Sequence, residues 1–147
     1  MSWFNILKKN GGWTGELSDK KKGHLKATPK LKVDIPKFTH PDNEEEIPAV
    51  LAAMKNKKLE PVEMKETDVD ARNMLFGLVD DEEEDYADLI NDLEIYTTKE
   101  KVRYNRARPY QVSDKIEDPK THTIDTPSFP SGHSIGSFGI AVALAHK

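Results

Sequence analysis

The sequence predicts an all-α fold, chiefly because apolar residues recur at helical spacing in three stretches. Residues at i, i+3, i+4 and i+7 share one face of a helix. Residues 47–54, 69–79 and 86–96 show this spacing, and the stripe in the third stretch is the longest. Strand signals are weak. The alternation of polar and apolar residues at 30–35 is compatible with a short edge strand, which is marginal by itself.

Charge divides the 147 residues into three blocks. Residues 1–40 hold nine lysines and three acidic residues, 41–100 hold six basic and nineteen acidic residues, and 101–147 hold seven basic and four acidic residues. We therefore expect a basic, extended and flexible arm at 1–40 before a folded body at 41–147. The arm is either a solvated disordered segment or an electrostatic arm for an anionic partner. Because no base-reading motif is present, nucleic acid is not the partner that we expect.

Composition excludes several classes of protein. With no cysteine, the chain cannot form disulfides, thiolate metal sites or a cysteine nucleophile. No run of 18 apolar residues predicts a transmembrane span. Residues 1–9 do not fit a secretory signal, so we expect a soluble, cytoplasmic protein. The acidic run at 81–85 lacks the alternating ligands and turn glycine of a calcium loop. We interpret it as lying at or just before the first turn of the helix over 86–96, where acids suit the helix dipole.

The first segment whose residues could form a binding or catalytic site is 101–109. We interpret it as the end of a helix that Pro109 terminates. Lys101 and Arg108 are seven positions apart, nearly two helical turns, which predicts one shared face. A lysine point charge and a planar arginine fork can converge on one anion. The alternative is a basic helix face that neutralises the acidic block before it.

The second segment is 125–134, where Pro127 and Pro130 precede a helix. Ser131 and Gly132 are predicted at its N-terminus, which offers unpaired N–H groups and the positive dipole end to an anion. His133 stands one residue inside and can donate a proton near neutral pH. The alternative is a serine cap followed by an incidental histidine. Residues 135–145 are apolar on nearly every side, which predicts a buried helix.

Together these segments resemble the first two motifs of the type 2 phosphatidic acid phosphatase and vanadium-dependent haloperoxidase superfamily. The first motif is Lys, six residues, Arg-Pro, here 101–109, and the second is Pro-Ser-Gly-His, here 130–133. The resemblance covers about 80–147 and implies part of a helical bundle of the acid phosphatase type. It implies that Lys101, Arg108, Ser131 and Gly132 bind phosphate or vanadate oxygens and that His133 is the general acid. It implies no metal ion, and vanadate as cofactor only in a haloperoxidase.

The family's third motif is Ser-Arg, five residues, His, three residues, Asp, and it would bring the nucleophilic histidine. No such motif follows His133. We expect the 147 residues to be the first part of a longer domain that hydrolyses phosphoesters poorly by itself. A natural short protein that only binds phosphate is the alternative.

The activity that the resemblance implies is hydrolysis of a phosphomonoester, in a phosphorylated small molecule or a lipid phosphate. The motifs present fit a vanadate-dependent haloperoxidase equally well. A non-catalytic phosphate-binding or structural protein, such as a phage component, is the third hypothesis. The sequence leaves substrate identity and oligomeric state open.

Overall fold

The computed structural model of the chain describes residues 12–39, 43–56, 76, 83–117 and 125–146. These residues form helices α1 (Asp19–Lys26), α2 (Asn43–Asn56), α3 (Ala87–Tyr104), α4 (Pro109–Val112) and α5 (Gly132–Ala145). A 3₁₀ turn, Glu83–Tyr86, leads directly into α3. The described residues contain no β-strand, only an isolated bridge between Gly12 and Arg106. The all-α prediction is therefore confirmed.

Helix α3 is the central element, because α1, α5 and the 3₁₀ turn all pack against it. The apolar stripe predicted for 86–96 faces this packing. Ile90 on α3 joins Ile140 on α5 and Phe76 in a buried cluster. Tyr86 and Leu89 lie against the same cluster. Burial of these side chains fixes α5 beside α3, which is the pairing that positions the candidate site.

Two predicted helices are confirmed and a third cannot be compared. Residues 47–54 lie within α2, and residues 86–96 begin in the 3₁₀ turn and continue into α3. The helix predicted at 69–79 falls outside the described residues except at Phe76, which is helical. The acidic run reaches the 3₁₀ turn at Glu83, as predicted from the helix dipole, while residues 81–82 lie outside the described part.

The prediction that the helix after Ser131 is buried on all sides is wrong for α5. Ile140 is fully buried, but Phe138 is 74% exposed and Val142 is 41% exposed. Among the described elements, the main packing partner of α5 is α3. Gly139 makes that approach close, since a methyl group there would lie 2.7 Å from a Leu93 Cδ atom. A helix that is apolar on every face therefore need not be packed against other elements on every face.

Residues 27–38 run along α3 as an extended segment, without strand partners among the described residues. The buried Asp92 carboxylate accepts hydrogen bonds from the amides of Lys30 at 3.0 Å and Leu31 at 2.6 Å. The Tyr96 hydroxyl donates to the Leu31 carbonyl at 2.6 Å and accepts from the Val33 amide at 3.0 Å. The alternation at 30–35 thus belongs to a segment whose backbone is bound by helix side chains. The boundary at residue 40 stays a prediction.

Candidate functional site

Lys101 and Arg108 do not share one helix, contrary to the prediction for 101–109. Helix α3 ends at Tyr104, and Asn105 adopts the left-handed conformation with φ 47° and ψ 37°. Asparagine tolerates this conformation better than most residues, so it can terminate a helix. The Asn105 carbonyl then accepts a hydrogen bond from the Trp13 amide at 3.0 Å, which fixes the turn. The two cations nevertheless line one cavity, because the chain turns between them.

Lys101 is a buried cation on the last turn of α3. Lys101 is only 7% exposed, and its Nζ donates a hydrogen bond to the Pro127 carbonyl at 2.6 Å. Burial, together with repulsion from Arg108 and Lys21, lowers its pKa from 10.5 to about 8, while Asp125 acts in the opposite direction. The ammonium group is thus held where positive charge is costly and a nearby anion would be favourable.

Arg108 caps the short helix α4 and reaches the same loop as Lys101. Its backbone N–H donates to the Gln111 side-chain oxygen at 3.0 Å, and its carbonyl accepts from the Gln111 amide at 2.8 Å. Its Nε donates to the Thr126 carbonyl at 2.9 Å. These bonds orient the guanidinium group toward the residues around Thr126, next to the start of α5.

The loop that precedes α5 is docked on the residues that follow α3. The Ser128 amide donates to the Arg106 carbonyl at 2.9 Å, and the Ser128 hydroxyl donates to the Ala107 carbonyl at 2.8 Å. The Phe129 ring meets Tyr104 edge to face, with centroids 5.0 Å apart. Ser128, three positions before Ser131, positions this loop, and the sequence did not predict that role. Through these contacts, the loop before the second motif packs against residues of the first motif.

The N-terminus of α5 carries Ser131, Gly132 and His133, as predicted. Ser131 is the N-cap, and its Oγ accepts from the Ser134 amide at 3.2 Å. A methyl group on Gly132 would lie 3.5 Å from the Thr97 Cγ2 atom and 3.9 Å from the Lys101 Cε atom. Gly132 therefore sits directly against α3 and the buried lysine. His133 is exposed to solvent and lies one residue inside the helix.

A cavity of about 410 Å³ unites all five predicted residues, namely Lys101, Arg108, Ser131, Gly132 and His133. Its wall also includes Asp125, and α1 contributes Lys20 and Lys21. The two lysines were predicted only as part of a basic arm, because no local pattern shows that the arm returns to α3. Cations, a hydroxyl group and a helix N-terminus around one cavity suit a multiply charged anion.

The described histidines other than His133 do not line this cavity. His24 is buried between Thr98 and Glu94, where burial lowers its pKa. His146 is exposed in the turn after α5. His40 and His122 fall outside the described residues. Among the described residues no group of three His, Asp or Glu side chains could hold a metal ion.

Within the described ranges, no helix combines the length and the apolar character needed to span a bilayer. The longest of them, α3, has 18 residues and carries charged side chains along its length.

Comparison with known proteins adds a match to one family. The family model described as the PAP2 superfamily matches residues 90–147, the stretch that contains most of α3 and all of α4 and α5. Comparison with curated proteins and with solved structures gave no match. At the level of the superfamily, the match indicates phosphoesterase-type chemistry on phosphorylated substrates. It supports the resemblance seen in the two motifs: residues 90–147 of the chain are similar to the PAP2 superfamily.

Proposed function

We propose that the cavity binds the phosphoryl group of a phosphomonoester and that the protein is a phosphomonoesterase of acid phosphatase type. In this proposal Lys101, Arg108, Ser131 and Gly132 hold the phosphoryl oxygens, and His133 is the general acid. The observation that carries it is the convergence of both motifs on one cavity, although 21 positions separate Pro109 from Pro130 in the sequence.

The charge at the cavity supports an anionic ligand. Burial and then repulsion from Arg108 lower the pKa of Lys101, and Asp125 acts in the opposite direction. A phosphoryl group carries close to two negative charges at neutral pH and offers several acceptor oxygens. Its binding would stabilise both cations and favour the protonated form of Lys101. The arginine fork suits two oxygens of such a group, and the lysine adds a point charge.

The start of α5 supplies neutral donors beside these cations. The first N–H groups of a helix have no partner within the helix, which applies to Gly132 and His133. The Ser131 hydroxyl accepts from the Ser134 amide, so its own proton can be donated to a bound oxygen. Gly132 places this end of α5 against Lys101, and the helix dipole adds to the attraction.

His133 is proposed to protonate the leaving oxygen. Its side chain lines the cavity from the first turn of α5, beside the residues that would hold the phosphoryl group. Histidine is the residue type best suited to exchange a proton near neutral pH. Residues 134–147 contain neither arginine nor aspartate, so the implied nucleophile motif is not in the sequence given. Binding and turnover are therefore separate tests.

The binding test is thermal and urea unfolding of the 147-residue chain with phosphate or vanadate, at constant ionic strength with chloride as the reference anion. At 100 times Kd, a ligand that binds only the folded state adds about 2.7 kcal/mol to the free energy of unfolding. Arg108→Ala should abolish this stabilisation. Arg103→Ala is the matched control, because Arg103 is exposed, pairs with Glu100 and does not line the cavity.

The result that refutes the proposal is equal stabilisation by phosphate in the wild type and in Arg108→Ala. Turnover is measured with p-nitrophenyl phosphate, and we expect little release of phosphate from the 147-residue chain because the nucleophile motif is missing. Rapid turnover would show that this last expectation is wrong. Bromide oxidation with vanadate and peroxide would favour a haloperoxidase instead.

A further inference from the structure

The basic arm contributes a helix to the wall of the candidate site. Lys20 and Lys21 of α1 line the same cavity as Lys101 and Arg108, although about 80 positions separate them in the sequence. The four cations share the cavity wall with two acidic residues, Glu94 and Asp125. The positive charge therefore exceeds what the acidic residues of the wall balance.

Contacts with α3 hold α1 in this position. His24 is buried against α3, with its Nδ1 3.4 Å from the Thr98 hydroxyl. Directly after α1, the Ala27 carbonyl accepts a hydrogen bond from Lys99 Nζ at 2.6 Å. The extended segment that follows is bound by the Asp92 carboxylate. These contacts follow one another along α3, so the lysines of α1 have a fixed position before a ligand binds.

The two lysines of α1 differ in their partners. Lys20 Nζ forms an ion pair with Glu94 at 2.8 Å, so its charge is largely balanced. Lys21 has no ion pair within the described part of the chain, and it is only partly exposed. Its charge is one of those that lower the pKa of Lys101, which places the two ammonium groups within electrostatic reach of each other. Lys21 is thus the cation of α1 best placed for a ligand.

We propose that Lys21 binds a second anionic group of the substrate, next to the phosphoryl group held by Lys101 and Arg108. The substrate class is then a compound with two neighbouring anionic groups: a diphosphate, or a phosphate ester that bears a carboxylate. The inference rests on the proposed function, because the phosphoryl group sets the position of its neighbour. It assigns to the arm a role in substrate selection.

The test compares three stable probes by calorimetry with the 147-residue chain: methylphosphonate, methylenediphosphonate and phosphonoacetate. Methylphosphonate has one anionic group, and the other two add a second phosphonate or a carboxylate. We expect Lys21→Gln to weaken methylenediphosphonate about tenfold, a typical effect of losing one charge-assisted hydrogen bond, and to leave methylphosphonate nearly unchanged. The measurement with phosphonoacetate shows whether a carboxylate can be the second anionic group.

Lys22→Gln is the matched control. Lys22 is the next residue on α1 and carries the same charge, but it pairs with Asp19 and Glu16 and does not line the cavity. Equal weakening of methylenediphosphonate by both substitutions would overturn the inference, because it would show only a long-range charge effect. Equal weakening of methylphosphonate and methylenediphosphonate by Lys21→Gln would overturn it too. If methylphosphonate and phosphate fail to bind the wild type, the proposed function itself fails.

Discussion

Replacing Lys101 with methionine should change how the stability of the fold depends on pH. The pKa of Lys101 is lowered to about 8, first by burial and then by repulsion from Arg108 and Lys21. In the unfolded chain a lysine keeps a pKa near 10.5. Below pH 8 both states carry the charge, and the folded state bears the full cost of burying it. Above pH 10.5 both states are neutral, and this cost is gone.

The size of the effect follows from the two pKa values. Lowering the pKa from 10.5 to about 8 corresponds to roughly 3 kcal/mol. Methionine has a similar length and no charge, so the variant lacks this pH-dependent cost. It also loses the bond from Nζ to the Pro127 carbonyl, which destabilises the variant by about 1–3 kcal/mol. The advantage of Lys101→Met over the wild type should therefore fall by roughly 3 kcal/mol between pH 7 and pH 10.5.

The assay is urea unfolding in buffers without phosphate at intervals between pH 7 and pH 10.5. The quantity of interest is the difference in free energy of unfolding between the variant and the wild type at each pH. Lys115→Met is the control for loss of one positive charge, since Lys115 is exposed and lies away from the cavity. A difference for Lys101→Met that stays constant, or that grows with pH, would refute the argument that burial of this ammonium group is costly.

Three further predictions concern the framework of the site. Gly139→Val should destabilise the fold by about 1–3 kcal/mol through overpacking against Leu93, and Leu93→Ala should relieve part of this cost in a double-mutant cycle. Ser128→Ala should lower the free energy of unfolding by about 1–2 kcal/mol, because the loop loses its hydroxyl bonds to backbone carbonyls; unchanged urea unfolding would contradict this. Asp92→Ala should speed hydrogen exchange of the Leu31 amide by tenfold or more, since a charge-assisted bond is removed, whereas an unchanged rate would show that the bond does not hold the segment.

Local pattern was sufficient to predict the elements that carry the two motifs. The stripe from Tyr86 to Tyr96 marks α3 because helical periodicity is a property of neighbouring residues. The position of Ser131 and Gly132 at the start of α5 followed from the prolines before them and the apolar residues after them. These patterns extend over only one or two helical turns, so they can be recognised in a single sequence. Confirmation of the two motifs' roles rests with the binding tests.

The sequence could not show how the arm meets the body. Lys30 and Leu31 bind Asp92 across about 60 positions, and the amides that make these bonds carry no side-chain signature. The same limit applies to α5, where the apolar character predicted burial on every side but Phe138 is exposed. Composition reports how much apolar surface a helix has, whereas topology decides which of its faces acquire neighbours. For the same reason, the sequence did not predict that Lys21 lines the cavity.

The hydrogen bonds of the site explain why the two motifs depend on each other. Lys101 and Arg108 both donate to carbonyls of the loop before α5, at Pro127 and Thr126. An ammonium has three donors and a guanidinium has five, so holding the loop is compatible with binding an anion. The cations therefore place the N-terminus of α5 and supply charge at the same point. Loss of either cation should loosen the start of α5 as well as weaken anion binding, which makes the site a single cooperative unit.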